Sequence, residues 1–363
     1  MSIKLSVTFS RLKNTILMAN YKKIKQGLYN PKNEHDSCGV GFIANIHGKK
    51  SHNIVKQGLE ILTNLTHRGA TGYDPKLGDG AGLLIQMPDT FFRIETQKLK
   101  IKLPDLGHYG VGMLFLPQSK VARKKCEAII SKIIKDEGQS EIGWREVPVN
   151  NEDIAKAACD VEPVIKQIII GRNENFLSQD EFERKLFVIR KIIENEVNKL
   201  DIDDPAKFYI TSMSSRTIVY KGMLLACEVG IYFEDLLNEQ MQSALALVHQ
   251  RFSTNTFPSW ELAHPYRIVA HNGEINTVKG NVNWMNARRE KMRSTLLNKD
   301  LEKLWPLIEE GQSDTACFDN CLELLLAGGY SLPHAMMMLI PEPWVGNSLM
   351  SEERKAFYEY HAA

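Results

Sequence analysis

The sequence predicts an α+β fold built on two antiparallel β-sheets with helices packed against them. Segments with strand alternation and segments with helical spacing are interspersed along the 363 residues. Strands recur in pairs without a helix between them, whereas a doubly wound parallel sheet needs a helix after each strand. The chain has no internal repeat and no low-complexity linker, so residues 38–363 are expected to form one domain.

The first predicted strand is "GVGFIANI", residues 39–46. Its apolar side chains alternate on one face, which predicts a half-buried strand with that face towards the core: Val40, Phe42, Ala44 and Ile46. A helix follows in residues 53–69, with Asn53 as its N-cap and Gly69 past its end.

The remaining elements follow from the same two periodicities and from their flanking turn residues. Ser178 is expected to open one long helix, and Gly138 is expected to stop another. Helices are predicted in residues 120–138, 178–200 and 313–329. Strands are predicted in residues 81–87, 109–116 and 164–171, as a pair in 207–214 and 216–222, and in 244–253 and 266–275.

Composition favours a globular protein of a reducing cytoplasm. Hydrophobic residues make up 43% and charged residues 25% of the chain. The 45 basic and 44 acidic residues give no reason to propose a nucleic-acid or membrane partner. The six cysteines are irregularly spaced and form no C-x-x-C pair, which disfavours a disulfide framework. Cys317 and Cys321, four residues apart, are interpreted as buried thiols and not as metal ligands.

The N-terminal residues 1–37 are expected to form a leader that is removed. The first 33 residues contain several basic residues and no acidic one, which leaves organellar targeting open. Alternatively, Met18 is the true start of translation.

Cys38 is the first candidate catalytic residue. It follows the polar, turn-prone stretch "NPKNEHDS", where the chain is expected to be accessible to cleavage. If the chain is cut between Ser37 and Cys38, the new α-amino group can act as the base for the thiol, because its ordinary pKa is near ~8. An N-terminal nucleophile of this kind needs no catalytic histidine. The alternative is an inert cysteine at a strand end.

Three further candidates are polar residues that follow predicted strands or begin a helix. Arg251, in "VHQRFSTNT", suits a carboxylate, although a structural salt bridge is the alternative. Asn272 and Gly273, in "AHNGEIN", can supply a side-chain and a backbone N–H to an oxyanion, although Asn-Gly also favours a hairpin turn. Asp314 can bind an ammonium group or simply cap its helix.

Together these candidates form a set that would hold and attack an α-amino acid with a side-chain amide. In chain order, "CGVGFIA", "HRGATGYD", "GDGAGLL", "ALVHQRFSTNTFPSW", "HNGEINT" and "QSDTACFDN" closely resemble the class II glutamine amidotransferase domain of glutamate synthases. The resemblance runs from about residue 28 to the end of the sequence.

The resemblance implies a four-layer αββα sandwich, the fold of the N-terminal-nucleophile hydrolases, and removal of a propeptide before Cys38. It implies that Cys38 is the nucleophile and that Arg251 and Thr254 bind L-glutamine. It also implies that Asn272 and Gly273 form the oxyanion hole and that Asp314 holds the substrate ammonium. In the family, the released ammonia travels to a separate domain that holds FMN and converts 2-oxoglutarate to glutamate.

The regions of the family that hold FMN and the iron–sulfur cluster have no counterpart in this sequence. The chain is therefore expected to carry no cofactor of its own and to be a fragment with an incomplete second sheet. The other domain, and a small subunit in some members, are the expected protein partners. Three alternatives remain: another class II amidotransferase, a non-functional truncated copy, and a papain-like thiol enzyme.

Overall fold

The described residues of the computed structural model, 39–72, 74–176, 178–251 and 257–362, contain two antiparallel four-stranded sheets. The strands are Val40–Ala44 (β1), Ala81–Gln86 (β2), Tyr109–Leu116 (β3), Ser140–Glu146 (β4), Val164–Gly171 (β5), Tyr209–Ser214 (β6), Thr217–Gly222 (β7) and Leu245–Gln250 (β8). The first sheet has the order β1-β8-β2-β7 and the second β4-β5-β3-β6. The predicted fold class is confirmed.

Helices of very different lengths connect and cover these strands. They are His52–Asn64 (α1), Asp89–Lys98 (α2), Lys120–Asp136 (α3), Lys156–Asp160 (α4), Gln179–Val197 (α5), Val229–Tyr232 (α6), Val278–Arg288 (α7), Asp314–Ala327 (α8), Leu332–Leu339 (α9) and Glu352–Ala362 (α10). Short 3₁₀ helices span Thr66–Arg68, Glu234–Leu237, Arg289–Lys291 and Asn298–Leu304. Within the described ranges, no helix combines the length and apolarity needed to cross a membrane.

The second sheet has an apolar cluster on each face. On one face, Leu114 and Ile168 pack with the apolar sides of α3 and α5. On the other face, Val111 and Ile169 belong to a larger cluster shared with the first sheet and α1. Burying apolar surface in this way stabilises a fold by about 25 cal/mol for each Å² removed from water.

Helix α1 lies very close to the first sheet because a glycine faces the strands. A Cβ atom on Gly58 would be only 2.8 Å from the Cβ of Ala246 and 3.1 Å from Leu83. Gly41 of β1 faces the same helix, and a Cβ there would be 2.5 Å from Ile61.

This close contact explains why the predicted orientation of β1 is wrong. The apolar residues predicted to face the core do not do so: Phe42 of β1 is 70% exposed, and Ile46, just past the end of β1, is 91% exposed. The inward face instead presents Gly41 and Ile43, of which Ile43 packs against the main cluster. Because α1 leaves room only for a glycine at position 41, the buried face does not show as an apolar pattern.

Two helix predictions are confirmed in detail. Helix α5 begins with a capping box in which the Ser178 hydroxyl accepts from the Glu181 N–H at 3.2 Å and the Glu181 carboxylate accepts from the Ser178 N–H at 3.3 Å. Helix α3 ends before Gly138, whose φ of +74° suits glycine. By contrast, α1 begins two residues earlier than predicted, because its N-cap is Ser51 and not Asn53.

The predicted strand pair 207–214 and 216–222 is only half right. Both strands form, but β6 is an edge of the second sheet and β7 an edge of the first. Side chains of β6 contact the backbone of β7: Thr211 donates to the Val219 carbonyl at 3.1 Å, and Ser212 accepts from the Val219 N–H at 3.1 Å. Helix α2 and the edge strand β4, of which only one residue is fully buried, were not predicted from the sequence.

The strand predicted at 266–275 is absent, because side chains of α8 take the place of a partner strand. The buried carboxylate of Asp319 accepts from the N–H groups of Ile268 at 2.9 Å and Val269 at 3.1 Å. Its second oxygen lies 3.0 Å from the Arg267 guanidinium. We call residues 266–275 the docked segment.

Replacing Asp319 should destabilise the protein strongly. In Asp319→Ala, two backbone N–H groups and Arg267 lose a buried acceptor, and we expect unfolding free energy to fall by about 3–5 kcal/mol. Urea unfolding measures the change. The control is Asp136→Ala, which removes an exposed ion pair with Lys132 and should change stability by less than about 0.5 kcal/mol. A loss below about 1 kcal/mol for Asp319→Ala would contradict this account.

Candidate active site

Arg251 directly follows strand β8 and lies beside the start of β1. The two strands pair with His249 opposite Val40, and the Gln250 N–H donates to the Gly39 carbonyl at 2.7 Å. The next residue, Arg251, leaves the sheet, and its N–H donates to the Gly80 carbonyl at 2.8 Å. The predicted carboxylate binder is therefore fixed beside Gly39, the residue that follows Cys38 in the sequence.

Arg251 is 6% exposed, and its guanidinium has acidic neighbours. Its Nη1 is 3.5 Å from the Asp79 carbonyl oxygen. Burial lowers the pKa of Arg251, while the Tyr266 phenol and nearby carboxylates, including Asp79 and Asp314, act to raise it. Since arginine stays charged in proteins, it provides a fixed cation here.

The side chain of Asn272 lies against the other side of Gly39. The neighbouring donors and acceptors determine which end of its amide is the oxygen. The oxygen accepts from the Gly39 N–H at 2.6 Å. The nitrogen faces Nε2 of His249 and lies 3.3 Å from the His271 carbonyl oxygen. A Cβ atom on Gly39 would be 2.6 Å from this amide and 2.3 Å from the Gln250 carbonyl oxygen. Only glycine permits this approach.

The hairpin interpretation of Asn272-Gly273 is wrong. A two-residue type I′ turn needs positive φ at both central residues, and neither Asn272 nor Gly273 has it. Strands do not flank the pair either, since the docked segment forms none within the described residues. Both residues are exposed.

Asp314 connects the docked segment to the first turn of α8. One carboxylate oxygen accepts from the Ile275 N–H at 2.9 Å and the other from the Thr315 N–H at 2.7 Å. The N-cap itself is Ser313, whose hydroxyl accepts from the Ala316 N–H at 3.2 Å. The carboxylate of Asp314 is thus not the capping group, and it remains partly exposed.

A layer of buried aromatic side chains beneath the site went unnoticed in the sequence. The ring of His249 stacks on His264 with 4.2 Å between centroids, and His264 contacts Tyr266 at 4.7 Å. Tyr266 is hydrogen-bonded to Ser313 at 2.9 Å. Burial lowers the pKa of His249 to about 4 and that of His264 well below its usual range, so both rings are neutral at neutral pH.

Two of the predicted site residues, Cys38 and Thr254, lie outside the described residues. The structure brings together the other four: Arg251, Asn272, Gly273 and Asp314. Asp79 was not predicted as a site residue, although it lies in the stretch "GDGAGLL" that carries part of the family resemblance. Cys317 and Cys321 are buried on α8, and burial raises their pKa values to about 11 and about 12.

The assembled groups can bind a zwitterion and stabilise an oxyanion. Arg251 suits a carboxylate, Asp314 an ammonium group, and the Asn272 and Gly273 N–H groups a developing negative charge. The sequence profile of the family described as class-II glutamine amidotransferases matches residues 38–363. The chain belongs to this family.

Similar proteins among the class-II glutamine amidotransferases carry the name glutamate synthase. The NADPH-type large chain of Bacillus subtilis is 49% identical over 93% of this chain and 22% of its own length. The NADH-type enzyme of Schizosaccharomyces pombe is 45% identical over 93% of this chain and 16% of its own length. The large chain of Azospirillum brasilense is 42% identical. The chain thus spans about a fifth of the length of the curated relatives it matches.

The buried neutral histidines of this class-II amidotransferase should make it sensitive to acid. Their pKa is lowered in the folded state from an ordinary value of 6.5, so unfolding takes up protons below that pH, and stability is lost between about pH 6.5 and pH 4. Each such group can contribute a slope of up to about 1.4 kcal/mol per pH unit.

Urea unfolding measures the stability lost between pH 7 and pH 5. We expect His249→Gln to lose about 1–2 kcal/mol less than the parent over this range. The control is His47→Gln, at an exposed position. Equal losses in the parent and His249→Gln would show that His249 is not buried in its neutral form.

Proposed function

We propose that this chain hydrolyses the side-chain amide of L-glutamine to glutamate and ammonia, the glutaminase half-reaction of glutamate synthase. The observation that carries the proposal is the contact between the Asn272 amide and the Gly39 N–H. It joins the proposed oxyanion hole to the residue that follows Cys38. The paired end of β8 supports the proposal by fixing Arg251 beside the same residue.

The reaction begins after cleavage between Ser37 and Cys38. The freed α-amine takes the proton of the thiol, and the sulfur attacks the amide carbon of glutamine. A C–S bond forms, and the carbonyl oxygen becomes an oxyanion that accepts from Asn272 and the Gly273 N–H. Such donors act most strongly on charge that develops in the transition state.

The oxyanion then collapses and the C–N bond breaks. The α-ammonium of Cys38 returns its proton to the leaving nitrogen, which departs as ammonia and leaves a γ-glutamyl thioester. Water, deprotonated by the same amine, attacks the thioester. The C–S bond breaks, the thiolate regains a proton, and glutamate is released.

Substrate recognition uses the opposite charges at the two ends of the site. Arg251 and Thr254 are assigned to the α-carboxylate and Asp314 to the α-ammonium. The Thr315 and Ile275 N–H groups satisfy part of the Asp314 carboxylate, and its remaining lone pairs are assigned to the substrate amine.

The larger enzyme supplies the second half-reaction. We propose that ammonia passes to a domain outside this sequence, where FMN and an iron–sulfur cluster support its use on 2-oxoglutarate. The described residues contain no group of three or more histidine, cysteine or acidic side chains suited to a metal ion. No step assigned to this chain passes through these cofactors.

The first test measures ammonia release from glutamine and sequences the N-terminus of the active protein. We expect the active form to begin at Cys38, and Cys38→Ser to lose activity by orders of magnitude because an alcohol is a far weaker nucleophile than a thiolate. The control is Cys227→Ser, which changes an exposed thiol. Full activity in protein that retains residues 1–37 would refute the mechanism.

The second test concerns Asn272. In Asn272→Asp, a donor to the oxyanion becomes a negatively charged acceptor, so kcat should fall about 100- to 1000-fold with little change in KM. The control Asn53→Asp makes the same chemical change on the exposed first turn of α1. A folded Asn272→Asp protein with near-parental kcat would remove Asn272 from the oxyanion hole.

A further inference from the structure

We propose that His249 is a positioning residue whose unprotonated Nε2 holds the Asn272 amide in the orientation needed for catalysis. The inference rests on the proposed function, because it assigns a purpose to the free N–H of that amide. His249 lies within β8, packs beneath the site and is expected to touch neither glutamine nor the nucleophile.

The amide of Asn272 is held from two sides. The Gly39 N–H can only donate, so the amide group 2.6 Å from it must be the oxygen. This places the amide nitrogen against Nε2 of His249 and near the His271 carbonyl. The reverse orientation would press two N–H donors together at 2.6 Å.

The orientation of the amide determines the tautomer of His249. Nε2 can accept from the amide nitrogen only when it carries no proton, so the proton of the neutral ring lies on Nδ1. Nδ1 is buried against the face of His264 and has no hydrogen-bond partner among the described residues. The other tautomer would instead donate from Nε2 to the His271 carbonyl, 3.0 Å away, and would favour the reversed amide.

One N–H of the amide remains for the substrate. Nε2 of His249 and the His271 carbonyl oxygen lie 3.0 Å apart, so a single N–H can be shared between them as a three-centre bond. The second N–H then stays available at the exposed side of Asn272. If Nε2 of His249 did not accept, only the long contact to the His271 carbonyl would favour the amide nitrogen of Asn272, and not its oxygen, on the side facing His249.

The docked segment supports the same arrangement from behind. Nε2 of His271 lies 3.0 Å from the Thr315 hydroxyl, and the Ile275 N–H donates to Asp314. The residues on both sides of Asn272 are therefore anchored to α8, His271 through its side chain and Ile275 through its backbone. The rotation of the side-chain amide is the remaining freedom, and the contacts to Gly39 and His249 restrict it.

Two variants of His249 and one double variant test the proposal kinetically. His249→Leu removes the acceptor, and kcat should fall about 3- to 10-fold, the effect of one neutral hydrogen bond, with an unchanged KM for glutamine. His249→Gln returns an acceptor oxygen and should restore kcat towards the parental value. In the Asn272→Ala background, His249→Leu should cause no further loss.

Three outcomes would overturn the proposal. They are a parental kcat in His249→Leu, an equal fold-loss from His249→Leu with and without Asn272, and a His249→Gln protein as slow as His249→Leu. His47→Leu, at an exposed position, controls for the loss of an imidazole elsewhere. Absence of glutaminase activity in the parent would instead reject the proposed function.

A second measurement does not depend on activity. Nitrogen chemical shifts of ¹⁵N-labelled histidine, assigned to His249 by comparison with His249→Gln, report which ring nitrogen carries the proton. We expect a proton on Nδ1 and none on Nε2 at neutral pH. A proton on Nε2, or a doubly protonated ring, would overturn the proposal even in an active enzyme.

Discussion

The site depends most on one interaction. The buried carboxylate of Asp319 accepts hydrogen bonds from two backbone N–H groups of the docked segment. The docked segment has no partner strand, and buried N–H groups without acceptors would each cost about 1–3 kcal/mol. Asp319 supplies that acceptor near the start of the segment, and Asp314 does so near its end. Asn272 lies between these two anchors. The position of the proposed oxyanion hole is thus set by side chains of α8.

The other half of the site is set by the first sheet. Antiparallel pairing of β1 with β8 fixes Gly39 and Arg251 relative to each other, and the Gly80 carbonyl accepts from the Arg251 N–H just past the end of β8. The two halves meet where Asn272 contacts Gly39. Because a side chain at Gly39 would collide with both, the spacing between the halves is itself encoded by a glycine. The sheet half is regular and the docked half irregular, which is common where a rigid scaffold positions functional loops.

The local sequence pattern predicted the elements whose hydrogen-bond partners are backbone groups. It failed where the hydrogen-bond partners are side chains distant in the sequence. Strands β3 and β5 have the predicted bounds, because long apolar runs buried on both faces leave little choice. The docked segment has an equally good strand pattern, yet its N–H groups bond to carboxylates some 50 residues away. Burial of β1 was assigned to the wrong face because the true buried face contains Gly41. Neither fact is visible within a window of ten residues.

Residue chemistry predicted Arg251, Asn272 and Asp314 because each carries a group that a zwitterionic amide requires. It did not predict a role for His249, because a histidine inside an apolar strand is interpreted as a core residue. The role proposed for His249 also depends on which ring nitrogen is protonated. Burial that keeps His249 and His264 neutral has a further consequence for the site. Neither His249 nor His264 then adds a second positive charge beside Arg251, the residue proposed to bind the substrate carboxylate. The same burial keeps the His249 ring neutral, which the proposed acceptance by Nε2 from the Asn272 amide requires, so removal of water acts on both the proposed substrate-binding charges and the proposed amide orientation.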